Sequence, residues 1–169
     1  MKRCIFVLLA ALICLSSVGC GGARYADDVS ALDVANAALD AFDSHEDYMD
    51  GTGVYFSYYF EDHPQASLIN DRVMLYHRTE TNVNEISVFR TASAKDAQMI
   101  EDAVEHYIEE EADYLAGFSK NYSPSDMEKI DNADTDVIGC YVIAYVLSPK
   151  DEDAALRAVR ELLSQDAKQ

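Results

Sequence analysis

The chain reads as an α+β domain: a small, mainly antiparallel sheet packed with an N-terminal helix, a long middle helix and a C-terminal helix. Three observations predict this. Apolar residues recur three and four apart in Val29 to Phe42, Ala97 to Phe118 and Leu156 to Leu163, the period of a helix with one buried face. Two runs rich in β-branched and aromatic residues, Arg72 to Thr79 and Glu85 to Thr91, flank the polar Glu80-Thr81-Asn82-Val83-Asn84, as in a hairpin with a longer loop. Val137 to Leu147 is apolar on both alternating faces, the pattern of a central strand covered on both sides.

The elements follow in order from a leader. Met1-Lys2-Arg3 precedes an uncharged apolar run from Cys4 to Leu15 and the small residues Ser16 to Gly22, the composition of a secretory signal. Twelve apolar residues fall short of the ~20 that span a bilayer as a helix, so a retained anchor is the alternative. The expected organisation is a signal peptide over residues 1–19, a tether over 20–28 and one domain over 29–169. Val29, Leu32, Ala35, Leu39 and Phe42 mark a helix of about four turns, with Asp27, Asp28 and Ser30 as caps. His45 to Gly53 reads as loop. Val54 to Phe60 is crowded with Tyr55, Phe56, Tyr58, Tyr59 and Phe60, and its periodicity fits a strand or a helix edge. Ser93-Ala94-Lys95-Asp96 resembles a capping box with Asp in the place of Glu or Gln, and opens the long helix that ends near Gly117. Ser123-Pro124 starts a short helical turn, and Ser148-Pro149-Lys150-Asp151 the final helix. Gly139, inside the apolar run, predicts a bulge or a close approach by another element.

Composition narrows the function. With 31 acidic and 13 basic residues the formal charge is −18, which repels nucleic acid and anionic lipid head groups. Catalytic signatures are missing: no G-x-S-x-G turn, no S-x-x-K and no phosphate-binding loop. Cys140, in its apolar run, reads as a buried, inert thiol. A calcium loop started at Asp134 would put Ile138 and Tyr145 where oxygen ligands are needed, so Asp131, Asp134 and Asp136 read as a solvated acidic segment. Asp102, His106 and Glu110 share one helix face and form the only metal-ligand candidate, without a second histidine or a thiolate to complete it. His45, His63 and His77 have no partner pattern, and Glu109, Glu110 and Glu111 read as surface charge. Tyr55, Tyr58 and Tyr59 are candidates for stacking on a ligand or partner, against a core role. No cofactor is expected.

Ser17-Val18-Gly19-Cys20 resembles the lipobox of bacterial lipoproteins, with Ser17 where leucine is usual; the resemblance implies acylation of the Cys20 thiol. Cys4 and Cys14 then leave with the leader, and Cys140 has no partner for a disulfide. From about Ile69 onward the chain resembles a bacterial lipoprotein family of the Gram-positive type, described only as a domain of unknown function. The resemblance rests on Glu85-Ile86-Ser87-Val88-Phe89, Tyr122-Ser123-Pro124, Asn132-Ala133, Val137 and Gly139-Cys140-Tyr141-Val142. It implies a lipid-anchored extracytoplasmic domain without assigned catalytic residues, in a family associated with membrane-bound O-acyltransferases of surface polysaccharide. The expectation is therefore a non-enzymatic accessory or binding domain on the outer face of a cell membrane, held there by its lipid and meeting an envelope protein. The alternatives are a divalent-metal sensor and an uncharacterised envelope enzyme.

Overall fold

A computed structural model describes residues 25–79 and 81–166. The leader and Cys20 lie outside the described residues. The fold is α+β, with five helices and a five-stranded antiparallel sheet among the described residues. The strands are β1 (Tyr48–Asp50), β2 (Ile69–His77), β3 (Glu85–Thr91), β4 (Asp134–Ile138) and β5 (Tyr141–Val146), in the spatial order β1-β2-β3-β5-β4. The helices are α1 (Ala31–Leu39), α2 (Thr52–Phe60), α3 (Ala94–Gly117), α4 (Pro124–Asp131) and α5 (Pro149–Asp166).

The sheet separates two cores. Val73 and Leu75 of β2, Ile86 and Val88 of β3, and Tyr141, Ile143 and Tyr145 of β5 face α1 and α5. Their neighbours of opposite parity, Met74, Phe89, Val142, Ala144 and Val146, face α2, α3 and α4. Covering both faces is why β3 and β5 are buried almost throughout, in a sheet whose antiparallel pairing would allow one face to be wet. Helix starts are capped as their sequences suggest. The Oγ atoms of Ser30, Ser93 and Ser148 accept from the backbone amides three residues on. Ser123 and Asp126 complete a reciprocal capping box at α4, with Pro124 in the first turn.

Three local expectations are corrected and one left open is resolved. The run from Val137 to Leu147 is not one strand but belongs to the β4–β5 hairpin, which pairs Val137 with Val142 and Ile138 with Tyr141. Gly139 makes the turn with φ of +64°, and a Cβ there would stand 3.0 Å from the Cβ of Tyr25, so the close approach predicted for this glycine is found. Alternation conceals a turn this tight, because both arms keep apolar residues on both sides. The stretch from His45 to Gly53 is not all loop: β1 pairs Met49 with Tyr76 and Asp50 with Leu75, and α2 begins at Thr52. Three residues of strand carry no periodicity of their own; the partner strand specifies them. The aromatic run resolves as helix α2, with Phe60 as its buried residue. Finally, α1 is shorter than about four turns and is rotated: Ala31, Val34, Ala35, Ala38 and Leu39 are buried while Leu32 is half exposed. Its alanine stripe, not the larger Leu32, faces the sheet and α5.

Among the described residues no helix is long and apolar enough to cross a membrane.

Candidate functional site

The side of the sheet facing α3 holds a polar cluster within an otherwise apolar layer. Glu85 and Ser87 share the parity of Phe89 on β3, so the same alternation that buries Phe89 carries a carboxyl and a hydroxyl inward. Glu85 is 1% exposed and Ser87 fully buried. Tyr107 of α3 donates its hydroxyl to Glu85 Oε1, which also accepts from Ser87 Oγ at 2.9 Å. The hydroxyls of Tyr76 and Tyr107 lie 3.0 Å apart. Glu85 Oε2 is buried and has no hydrogen-bond partner among the described residues. Burial, reinforced by the nearby charge of Glu111, pushes the Glu85 carboxyl up to about 8.

One helical turn after Tyr107, Glu111 is 7% exposed, contrary to its reading as surface charge. The α2 helix covers it, and Tyr59 donates its hydroxyl to Glu111 Oε2 at 2.8 Å. Burial raises the Glu111 carboxyl above its ordinary range, and the bond from Tyr59 opposes that rise. None of the five ion pairs among the described residues includes Glu85 or Glu111.

Between α2 and α3 a groove of about 310 Å³ opens to solvent, lined by Val54, Tyr55, Tyr58, Tyr59, Glu111 and Tyr114. Two helices supply opposite walls. Tyr58 and Tyr59 meet at 89° with ring centroids 4.8 Å apart, forming an aromatic corner, and Tyr114 stands across from α2, its ring at 63° to that of Phe118. Tyr55 stacks on Tyr76 at 4.3 Å, which fixes the floor of α2 to β2. That stack leans on Gly51, where a Cβ would come within 2.9 Å of both rings. Val54, Tyr58 and Tyr114 are largely exposed, an unusual concentration of apolar surface on so acidic a protein. A hollow along α5, by contrast, is lined by charged side chains such as Asp153, Arg157 and Glu161.

The structure therefore brings together Tyr55, Tyr58 and Tyr59, the aromatic candidates of the sequence. It divides their roles: Tyr55 stacks on Tyr76, Tyr59 is hydrogen-bonded to Glu111, and Tyr58 meets the Tyr59 ring while staying largely exposed. It does not assemble the metal candidates. Nε2 of His106 lies 3.3 Å from Glu110 Oε1, both side chains being mostly exposed. Among the described residues no three His, Cys, Asp or Glu side chains converge on a metal position, Asp102, His106 and Glu110 included. Asp134 and Asp136 belong to β4, and Asp136 pairs with Arg160 at 3.2 Å instead of opening a calcium loop. Cys140 is buried at the β4–β5 turn, and burial raises its thiol above the ordinary range.

Sequence reasoning missed Glu85 and Glu111, since each stands in a locally ordinary context. Two signals were present. Glu85-x-Ser87 is a polar pair in a strand whose other residues are mostly apolar, and Tyr107, Glu111, Tyr114 and Phe118 recur at helical spacing. Comparison with family models, curated proteins and solved structures finds no match to the chain. The functional reading therefore rests on the geometry and on the residues themselves.

Proposed function

We propose that the protein is a non-enzymatic, lipid-anchored accessory or binding domain on the extracytoplasmic face of a cell membrane, with the α2–α3 groove as its contact surface. The observation that carries this reading is the groove itself: an exposed aromatic corner, with Tyr58 79% and Val54 74% exposed, beside a fixed carboxylate. The basic-then-apolar leader and Val18-Gly19-Cys20 support the anchor and its location. The charge of −18 supports a protein or small-molecule partner over nucleic acid. A non-catalytic role is supported by the placement of Glu85. Glu85 and Ser87 have a general acid and a hydroxyl in contact, but they are sealed beneath α3, out of reach of a substrate atom. Glu85 to Phe89, Tyr122 to Pro124 and Gly139 to Val142, the segments that resemble envelope lipoproteins, support an association with polysaccharide O-acylation.

Two measurements test the reading. Cys20→Ser is expected to release the chain from the membrane fraction or leave it unprocessed; full membrane retention with normal processing would remove the lipid anchor. A photo-crosslinker in place of Tyr58 is expected to trap an envelope partner in intact cells, while the same group in place of exposed Lys95 does not. Equal trapping from both positions would remove the groove as contact surface.

A further inference from the structure

The groove has a chemical bias that apolar contact alone does not explain. Its polar group is a carboxylate, Glu111, held in place through Tyr59. Behind it lies Glu85, with one oxygen buried and unpartnered among the described residues. No Lys, Arg or His among the described residues forms an ion pair with either. Burial raises the cost of ionising both carboxyl groups, the charge of Glu111 adds to that of Glu85, and among the described residues no ion pair offsets it. The walls next to Glu111 are tyrosine rings, two of them perpendicular, so a guest at the corner meets one ring face and one ring edge at short range. Ring faces carry negative potential and attract cations within about 6 Å of their centroids. The same helix already shows the preference: the guanidinium carbon of Arg72 sits 3.7 Å over the Phe56 ring. The field of the whole molecule is strongly negative and concentrates cations at its clefts.

We propose that the α2–α3 groove binds a small organic cation, its ammonium group seated against Glu111 and the rings of Tyr58, Tyr59 and Tyr114. The proposal rests on the groove being the contact surface and adds the class of ligand that it takes. A carboxylate with aromatic faces recognises a positively charged, weakly hydrated head group, whereas a neutral sugar would leave the charge on Glu111 uncompensated. Tyr59 positions Glu111; Tyr58 and Tyr114 supply the ring surface.

The full chain, held in a polyoxyethylene detergent that carries neither sugar nor ammonium groups, is titrated with choline chloride by calorimetry. A parallel titration uses its neutral carbon isostere, with a tert-butyl group in place of trimethylammonium. Expected are saturable binding of choline at one site and none of the isostere. Glu111→Gln should weaken binding about tenfold or more. Tyr58→Ala should weaken it several-fold with an unchanged circular dichroism spectrum, because Tyr58 is mostly exposed and its loss leaves the fold intact even if Glu111→Gln does not fold. Equal binding of the isostere, choline binding indifferent to both substitutions, or no heat at about 10 mM choline would each overturn the proposal. So would a neutral disaccharide that binds, with Tyr58 required, where choline does not. In any of these cases, partner-specific crosslinking from Tyr58 would leave the proposed contact surface standing, so the two readings fail separately.

Discussion

Glu85 makes the stability of this protein depend on pH in a direction opposite to that of most carboxylates. Its folded-state value is pushed up to about 8 from an ordinary 4.5, so the folded chain holds the proton more tightly than the unfolded chain. Between those values the unfolded state loses its proton first, and the contribution of Glu85 to stability falls as pH rises, levelling off above about 8. Glu85→Gln is isosteric with the protonated form and keeps an acceptor for Tyr107 and Ser87. The variant is expected to match the parent in denaturant unfolding at about pH 5 and to exceed it by a few kcal/mol, on the order of 2–4, at about pH 9. Equal stability at both pH values would mean that Glu85 ionises freely in the fold. Cys140 offers a second test at this scale: the folded chain without residues 1–19 and with Cys20 replaced, in which Cys140 is the one remaining thiol, is expected to react slowly with a polar thiol reagent and fast once unfolded. Burial of this thiol was legible, since its neighbours Val137 to Leu147 are apolar. Burial of Glu85 and Glu111 was not, because a charged residue read one position at a time is assigned to water, and only the packing of α3 on the sheet, and of α2 over α3, takes the water away.

Among the elements, α2 is held by little buried surface. Phe60 is its one fully buried residue, packing on Phe89 and Tyr107 at 5.1 Å and 5.5 Å between ring centroids, while its middle turn supplies the groove. Phe60→Ala is expected to cost about 3–5 kcal/mol. Even in the parent chain, amides of α2 should exchange with deuterium well before those of α3, reporting local opening and not global unfolding. Protection of α2 equal to that of α3 would show that the tyrosines anchor it more firmly than Phe60. This weak attachment and the illegibility of α2 have one cause. Five aromatic residues among the nine of α2, crowded into its last six positions, match helical and strand periods alike, so no single dominant apolar face results. Where a face is dominant, as in α3 with Ala97, Ile100, Val104, Tyr107 and Ile108 buried, sequence and structure agree closely. The hairpin β2–β3 was legible for the same reason, its loop being polar and its arms rich in β-branched residues. The β4–β5 turn was not, because Gly139-Cys140 lacks the Asn or Asp that usually announces a two-residue turn.

At the scale of the molecule, charge and sidedness dominate. A formal charge of −18 makes the compact state repel itself, and mobile ions relieve that repulsion. Raising sodium chloride from about 10 mM to about 0.5 M is expected to raise Tm by about 2–5 °C. A flat profile would show that the few internal ion pairs, such as Arg160 with Asp136, already neutralise the field where it matters. Sidedness follows from where the described chain begins. Ala26 donates its backbone N–H to the Leu163 carbonyl at 2.9 Å, and Tyr25 lies against Gly139, so the chain enters on the α1–α5 side of the sheet. The groove opens on the other side. Fusion, display or immobilisation made upstream of Tyr25 thus takes hold of the domain from behind, with the whole thickness of the sheet between grip and guest. Such a layout lets the length and make-up of the preceding segment drift without disturbing what the opposite face selects.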